Sequence, residues 1–298
     1  MKGHFYMDDI LLNMKPGHKF LVCVDSDGCV FDNMELKHKE CFCPATVNVW
    51  GLQSVSRYAR ESAEFVNLYS KTRGANRFPA LIRTLELLGQ RKEAKERGYV
   101  CPDLTPLKKW VEETDSLSAR GIKEYKEAHG EIDPILETAA RWSAEVDENI
   151  ERIVHGVAPL PGVKEAFAEI SKFADIVIVS ATPHEAIVRE WGAQGLLEHI
   201  TVVAGQELGT KKDCIRKAAE GKYEPDHVLM VGDAPGDHAA ADANGVLFYP
   251  IIPGQEVESW SRLRAEAAAK FEAGEYAGAY MNEMLEKFDS VLQDEPNW

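Results

Sequence analysis

Five short runs of apolar, largely β-branched residues recur along the chain, at Lys19–Val24, Asp175–Val179, Ile200–Ala204, His227–Val231 and Val246–Ile251. Short continuous apolar runs bounded by turn residues mark strands buried on both faces. The last four alternate with amphipathic stretches, Val163–Phe173, His184–Gly192 and Lys212–Glu220. Strand and helix in alternation predict a doubly wound parallel sheet, an α/β fold. The first run stands far ahead of the second, so something large is inserted between them.

From Asn33 to His155 the pattern changes to long helical periodicity with almost no strand signal. Helices are predicted to start at Thr105-Pro106 and Asp133-Pro134, each a capping residue followed by proline at the first helical position. In the second, Ile135, Ala139, Trp142, Val146, Ile150 and Ile153 fall on one face, so this helix packs. Pro159, Pro161, Gly156 and Gly162 form a hinge back into the sheet. The expected division is therefore residues 1–32 and 156–298 for the α/β core and 33–155 for an all-helical inserted domain. After Pro250 no strand signal remains, and Trp260–Phe271 and Tyr280–Leu292 read as helices that pack on the core.

Composition narrows the function classes. A net charge of −15 argues against a nucleic-acid surface, because phosphate backbones are bound by clustered Lys and Arg. No segment approaches the apolar length of a membrane span, and the acidic start, Met1–Asp9, lacks the basic and apolar regions of a signal peptide. A cytoplasmic protein is expected. Six cysteines show neither paired metal spacing nor a secreted scaffold; Cys41 and Cys43 come closest to a metal pair and are read as reduced thiols.

The chemistry concentrates at strand ends, where open α/β sheets bind ligands. Asp25 and Asp27 follow the first run, and Gly28 makes a tight turn. A carboxylate can attack a phosphoryl group, and a second one can protonate the leaving oxygen and later activate water. Alone, this segment is equally well a polar turn. The fourth run, however, ends in Gly232-Asp233 with Asp237 four residues on. Carboxylates converging at one sheet edge repel each other unless a cation is present, and Mg2+ suits an all-oxygen set. The second run ends in Ser180-Ala181-Thr182, whose hydroxyls could hold a phosphoryl oxygen. Lys211 or Lys212 could reach the same oxygens.

In order and residue type, Asp25-x-Asp27-Gly28, Ser180, Lys211 and Gly232-Asp233-x-x-x-Asp237 resemble the four motifs of the haloacid dehalogenase (HAD) superfamily. The insert resembles its helical C1 cap. The resemblance implies a HAD-type Rossmann-like core with Asp25 as nucleophile and magnesium ligand. It makes Asp27 the general acid/base, with its main-chain carbonyl on the metal. Ser180 and Lys211 would bind phosphate, Asp233 would ligate magnesium, and Asp237 would ligate it or orient its waters. The insert would close over the site and select the substrate. An acid at the position of Asp27 implies phosphoester chemistry rather than dehalogenation. Two features depart from the family pattern: the insert is large for a C1 cap, and neither Lys211 nor Lys212 is followed by proline.

The expected activity is that of a magnesium-dependent phosphatase acting on a small phosphorylated metabolite through an aspartyl-phosphate, with no nucleic-acid or membrane partner. A phosphosugar mutase resembling β-phosphoglucomutase would keep every motif, and a non-catalytic phospho-ligand binder is a further alternative. A receiver-like phospho-switch uses similar residues but carries its phosphoacceptor Asp after the third strand, where Ile200–Gly205 has none. Arg73 and Arg77 lie in a basic, glycine-containing break between helices and are candidate substrate contacts through their rigid anion-binding fork. Lys37 and His38 are weaker candidates of the same kind.

Overall fold

A computed structural model describes residues 10–114 and 117–298, so the Met1–Asp9 stretch lies outside the described residues. Five strands form one parallel sheet in the order β3-β2-β1-β4-β5. They are β1 (Phe20–Val24), β2 (Ala174–Val179), β3 (Val202–Ala204), β4 (Val228–Gly232) and β5 (Leu247–Pro250). Ile200 and His227, expected inside strands, precede them. Ile200 ends a turn from Leu197, and His227 closes a 3-10 turn begun at Pro225.

The apolar runs are continuous because the sheet is covered on both faces. Phe20, Val22 and Val24 of β1 face one core with Ile176, Ile178, Leu229 and Val231, whereas Leu21 and Cys23 face another with Val177, Val179, Val228 and Met230. Leu21, Val22, Cys23 and Val24 are all essentially inaccessible. Complete burial of each such aliphatic side chain contributes about 1.5–3 kcal/mol. Helices Val163–Ile170 and His184–Ala193 supply Phe167, Ile170, Ile187 and Trp191 to the first face. Helices Lys211–Ala219, Pro235–Asp242 and Ala279–Val291 supply Ile215, Ala218, Ala241 and Phe288 to the second. The expected helix at Trp260–Phe271 runs longer, as Glu256–Arg262, a π-helical turn Leu263–Ala267, and Ala268–Ala273.

Register sets the site. Val24 pairs with Ile178 on one side and Val231 on the other, and Val179 pairs with Ala204. The strands therefore release Asp25, Ser180, Gly205 and Asp233 along one edge of the sheet.

The chain divides into two compact units, one comprising the chain up to Asp32 with Val157–Leu292, the other Asn33–Gly156 with Gln293–Trp298. The second unit is built of helices around Leu81, Leu85, Leu88, Trp110, Trp142 and Val146. Its longest described helix, Pro134–Ile153, is capped by Asp133, whose Oδ1 accepts the Ile135 N–H at 2.9 Å. At the other predicted start Thr105 is the first helical residue rather than the cap; Leu104 stands at the cap position, and the Thr105 N–H donates to Asp103 Oδ1 at 3.0 Å. Gln293–Trp298, placed on sequence with the sheet, groups with the helices. Its Gln293 N–H donates to the Tyr69 carbonyl, and the Lys71 N–H donates back to the Gln293 carbonyl. Among the described residues no helix is long and apolar enough to cross a membrane.

Candidate active site

Asp25 leaves β1 with its N–H donated to the Val231 carbonyl at 3.0 Å, which extends the β1–β4 ladder by one bond and fixes the carboxylate at the sheet edge. The turn that follows is tight. Gly28 adopts φ 74°, a conformation that favours glycine, and its N–H donates to the Phe31 carbonyl while Val30 and Phe31 donate to Ser26. Two tryptophans brace this turn from below. Trp191 donates its indole N–H to Ser26 Oγ at 3.0 Å, and Trp260 donates to the Cys29 carbonyl at 2.7 Å. Both rings pack on Phe167 with centroids 5.6 Å away. Neither tryptophan announced itself in the sequence, because each reads as an ordinary core position on its helix.

Asp25, Asp233 and Asp237 are all buried, and each offers a carboxylate oxygen within 4.8 Å of the others. Asp237 stands in the first turn of its helix, where Oδ2 accepts the Ala234 N–H at 3.1 Å. Its position depends on Gly232, since a Cβ there would lie 2.4 Å from Asp237 Cγ. Lys211 is the first residue of the helix capped by Thr210, and its ammonium lies 2.7 Å from Asp25 Oδ2 and 2.5 Å from Asp237 Oδ1. Lys212 is exposed, so Lys211 is the lysine that enters the cluster.

Burial pushes the Asp25 carboxyl up to about 6 despite the attraction of Lys211, and Asp237 is raised by the same cause. Burial also disfavours the Lys211 ammonium, but the pull of Asp237 and Asp25 outweighs it and holds the lysine above its usual value. Three buried carboxylates thus gather within ligand distance of one another, with the Lys211 ammonium on two of them. An all-carboxylate donor set is the hard oxygen kind that magnesium takes, and a divalent cation there would offset the repulsion among the three acids.

Asp27 and Ser180 stand beside this cluster. The Ser180 N–H donates to the Ala204 carbonyl at 3.0 Å, and its Oγ accepts the Thr182 N–H at 3.2 Å. The Thr182 hydroxyl donates to Asp27 Oδ2 at 3.0 Å, a contact between loops 155 positions apart. The sequence offered Thr182 only as a second hydroxyl beside Ser180. The remaining candidates lie in the helical unit. Buried Arg73 donates to the Leu68 carbonyl at 3.1 Å. Arg77 lies 2.7 Å from Asp147 Oδ1 and 3.0 Å from Ser143 Oγ, with its guanidinium over the Phe42 ring. Arg77 thus links its own helix start to helix Pro134–Ile153, while the Arg73 bond to Leu68 lies within one stretch of chain. Lys37 is buried and begins a π-helical turn that also contains His38. Cys41 and Cys43 are buried free thiols, and the one group of potential metal ligands among the described residues is the carboxylate trio.

No curated protein sequence matches the chain significantly. Among solved structures it is similar to a haloacid dehalogenase-like family hydrolase from Streptococcus pneumoniae, at 12% identity over 81% of this chain and 90% of that one, TM-score 0.43. A HAD-superfamily hydrolase of subfamily IA from Geobacter sulfurreducens is 15% identical over 78% of this chain and 88% of that one, TM-score 0.36. A provisionally assigned phosphoglycolate phosphatase from Lactobacillus delbrueckii subsp. bulgaricus is 12% identical over 88% of this chain and all of that one, TM-score 0.48. The model of the haloacid dehalogenase-like hydrolase family matches residues 99–251, a span that holds Ser180, Lys211, Asp233 and Asp237 and leaves Asp25 to be placed by the β1–β4 ladder. That span is just over half of the sequence, and the chain belongs to the haloacid dehalogenase-like hydrolase family.

Proposed function

We propose that this protein is a magnesium-dependent phosphatase that hydrolyses a small phosphorylated metabolite through an aspartyl-phosphate on Asp25. One observation carries the reading: Asp25, Asp233 and Asp237 bring three buried carboxylates within ligand distance of one another, with the Lys211 ammonium on Asp25 and Asp237. Asp25, Asp233 and Asp237 would hold the ion, with the Asp27 carbonyl as a further ligand. What the ion supplies is charge compensation between Asp25 and an anionic ester.

In this reading a free oxygen of Asp25 attacks phosphorus and the bond to the ester oxygen breaks. Asp27 gives its proton to the departing alkoxide. It then takes a proton from the water that attacks the acyl phosphate, releasing phosphate and restoring Asp25. Ser180 Oγ and the Lys211 ammonium lie at the same sheet edge and would hold phosphoryl oxygens through both steps.

Asp25→Asn keeps the shape of the side chain and removes the nucleophile. The expected result is loss of magnesium-dependent phosphate release across a panel of phosphate monoesters by more than about 1,000-fold, with an unchanged circular dichroism spectrum. Release near the wild-type rate would overturn the assignment of Asp25. Isomerised sugar phosphate without free phosphate would overturn the hydrolytic outcome.

A further inference from the structure

We infer that Thr182 is a positioning residue that sets the orientation of the Asp27 carboxyl, an inference that rests on the phosphatase reading for its catalytic consequence. Thr182 is itself held at three points. Its N–H donates to Ser180 Oγ at 3.2 Å, its carbonyl accepts the Gln206 N–H at 3.1 Å, and its hydroxyl donates to Asp27 Oδ2 at 3.0 Å. Backbone bonds on both sides make this hydroxyl a fixed point, whereas Asp27 is partly exposed and stands on the turn after β1. A carboxyl that must pass a proton to a leaving oxygen works only when that oxygen is within hydrogen-bond reach in the right direction. A hydroxyl suits the task because it can donate to Oδ2 of the carboxylate and equally to Oδ2 of the acid protonated on Oδ1, so one contact orients the group throughout the cycle and leaves the proton free for the departing oxygen. The backbone bond to Ser180 Oγ also ties this hydroxyl to the residue proposed to hold a phosphoryl oxygen. Asp27 is thereby aligned with the phosphoryl position rather than with its own turn alone.

Positioning of a general acid has a signature that simple loss of structure lacks. A nitrophenolate departs without help, whereas an alkoxide needs its proton as the bond breaks. The parameter kcat/KM reports the steps up to formation of the phosphoenzyme, so it isolates the acid role from the later hydrolysis. Thr182→Val should lower kcat/KM for an alkyl phosphate at least about 10-fold more than for p-nitrophenyl phosphate, a fraction of the 100- to 10,000-fold that general acid catalysis supplies. Thr182→Ser should restore the wild-type ratio. Thr182→Ala serves in place of the valine variant if valine does not fold. An unchanged ratio in the valine or alanine variant would overturn the inference, as would a serine variant as defective as the valine one.

A second measurement is independent of turnover. In metal-free crystals Asp27 should hold a single rotamer in wild type and Thr182→Ser and lose it in Thr182→Val. The wild-type rotamer persisting in Thr182→Val would overturn the inference whatever the kinetics. If instead the rotamer is lost but wild type hydrolyses neither ester with magnesium, the positioning stands and the phosphatase reading falls.

Discussion

Gly232 ends β4 and adjoins Asp233, yet its own importance comes from Asp237. The carboxyl of Asp237 occupies the space that a side chain at 232 would need, with Cγ 2.4 Å and Oδ2 2.4 Å from a Cβ placed there. Gly232→Ala must therefore push Asp237 off Lys211 or bend the strand end. Overpacking of this kind costs about 1–3 kcal/mol. The expected outcome is a lower melting temperature together with at least about a 10-fold loss of phosphatase activity. Wild-type activity in this variant would show that Asp237 need not stand where it does. The sequence made this pair visible because Gly232, Asp233 and Asp237 are close neighbours at the end of an apolar run. Thr182 and Asp27 were not visible as a pair, since their hydrogen bond joins two loops through the register of β1 on β2, which no local pattern encodes. Trp191 and Trp260 were hidden for another reason: an indole buried on a helix face looks like core packing until its N–H partner is known.

The strands were legible because burial on both faces leaves them mostly apolar, with Val the commonest residue, and a helix start was legible at Asp133-Pro134 and, one residue off, at Thr105-Pro106. The ends of strands were less so. At β3, only Val202–Ala204 pairs, although Ile200 continues the apolar run. Gln293–Trp298 carries no periodicity at all, so nothing in its sequence places it with the helical unit. Its anchors are tertiary. Arg83 Nη2 lies 2.8 and 2.9 Å from the two Glu295 oxygens, Lys71 is 2.9 Å from Asp294, and the buried Arg91 guanidinium stands 4.4 Å from the Trp298 ring centroid. The two ion pairs are exposed and contribute little. The cation–π contact, buried on its Arg91 side, and the backbone bonds to Tyr69 and Lys71 matter more. Removing residues 293–298 should cost the helical unit roughly 1–3 kcal/mol on those grounds. Hydrogen exchange would show this as faster exchange in helix Arg77–Gln90, with β1, β2 and β4 unchanged. Equal exchange in full-length and truncated chains would mean that the six residues only lie against the helices without stabilising them.

Across the whole molecule, charge links the site to stability. The chain carries a net charge of −15, so any divalent cation will associate weakly with its surface by general attraction. A specific site differs in that its carboxylates are buried: Asp233 and Asp237 are almost fully inaccessible, and Asp25 nearly so. An ion bound there and absent from the unfolded chain stabilises by about 2.7 kcal/mol at a hundredfold excess over its Kd. For a unit of this size that is a rise of roughly 5–10 °C in melting temperature. Because the trio lies wholly within the sheet unit, calorimetry should show magnesium raising the transition of that unit and leaving any separate transition of the helical unit in place. Asp233→Asn keeps the size of the side chain and removes one ligand charge, so it should abolish most of the shift. Sodium chloride at matched ionic strength separates the two sources of stabilisation, since it reproduces screening but not coordination. A magnesium shift equal in wild type and Asp233→Asn, or matched by sodium chloride, would assign the effect to the acidic surface and leave the carboxylate trio without a metal.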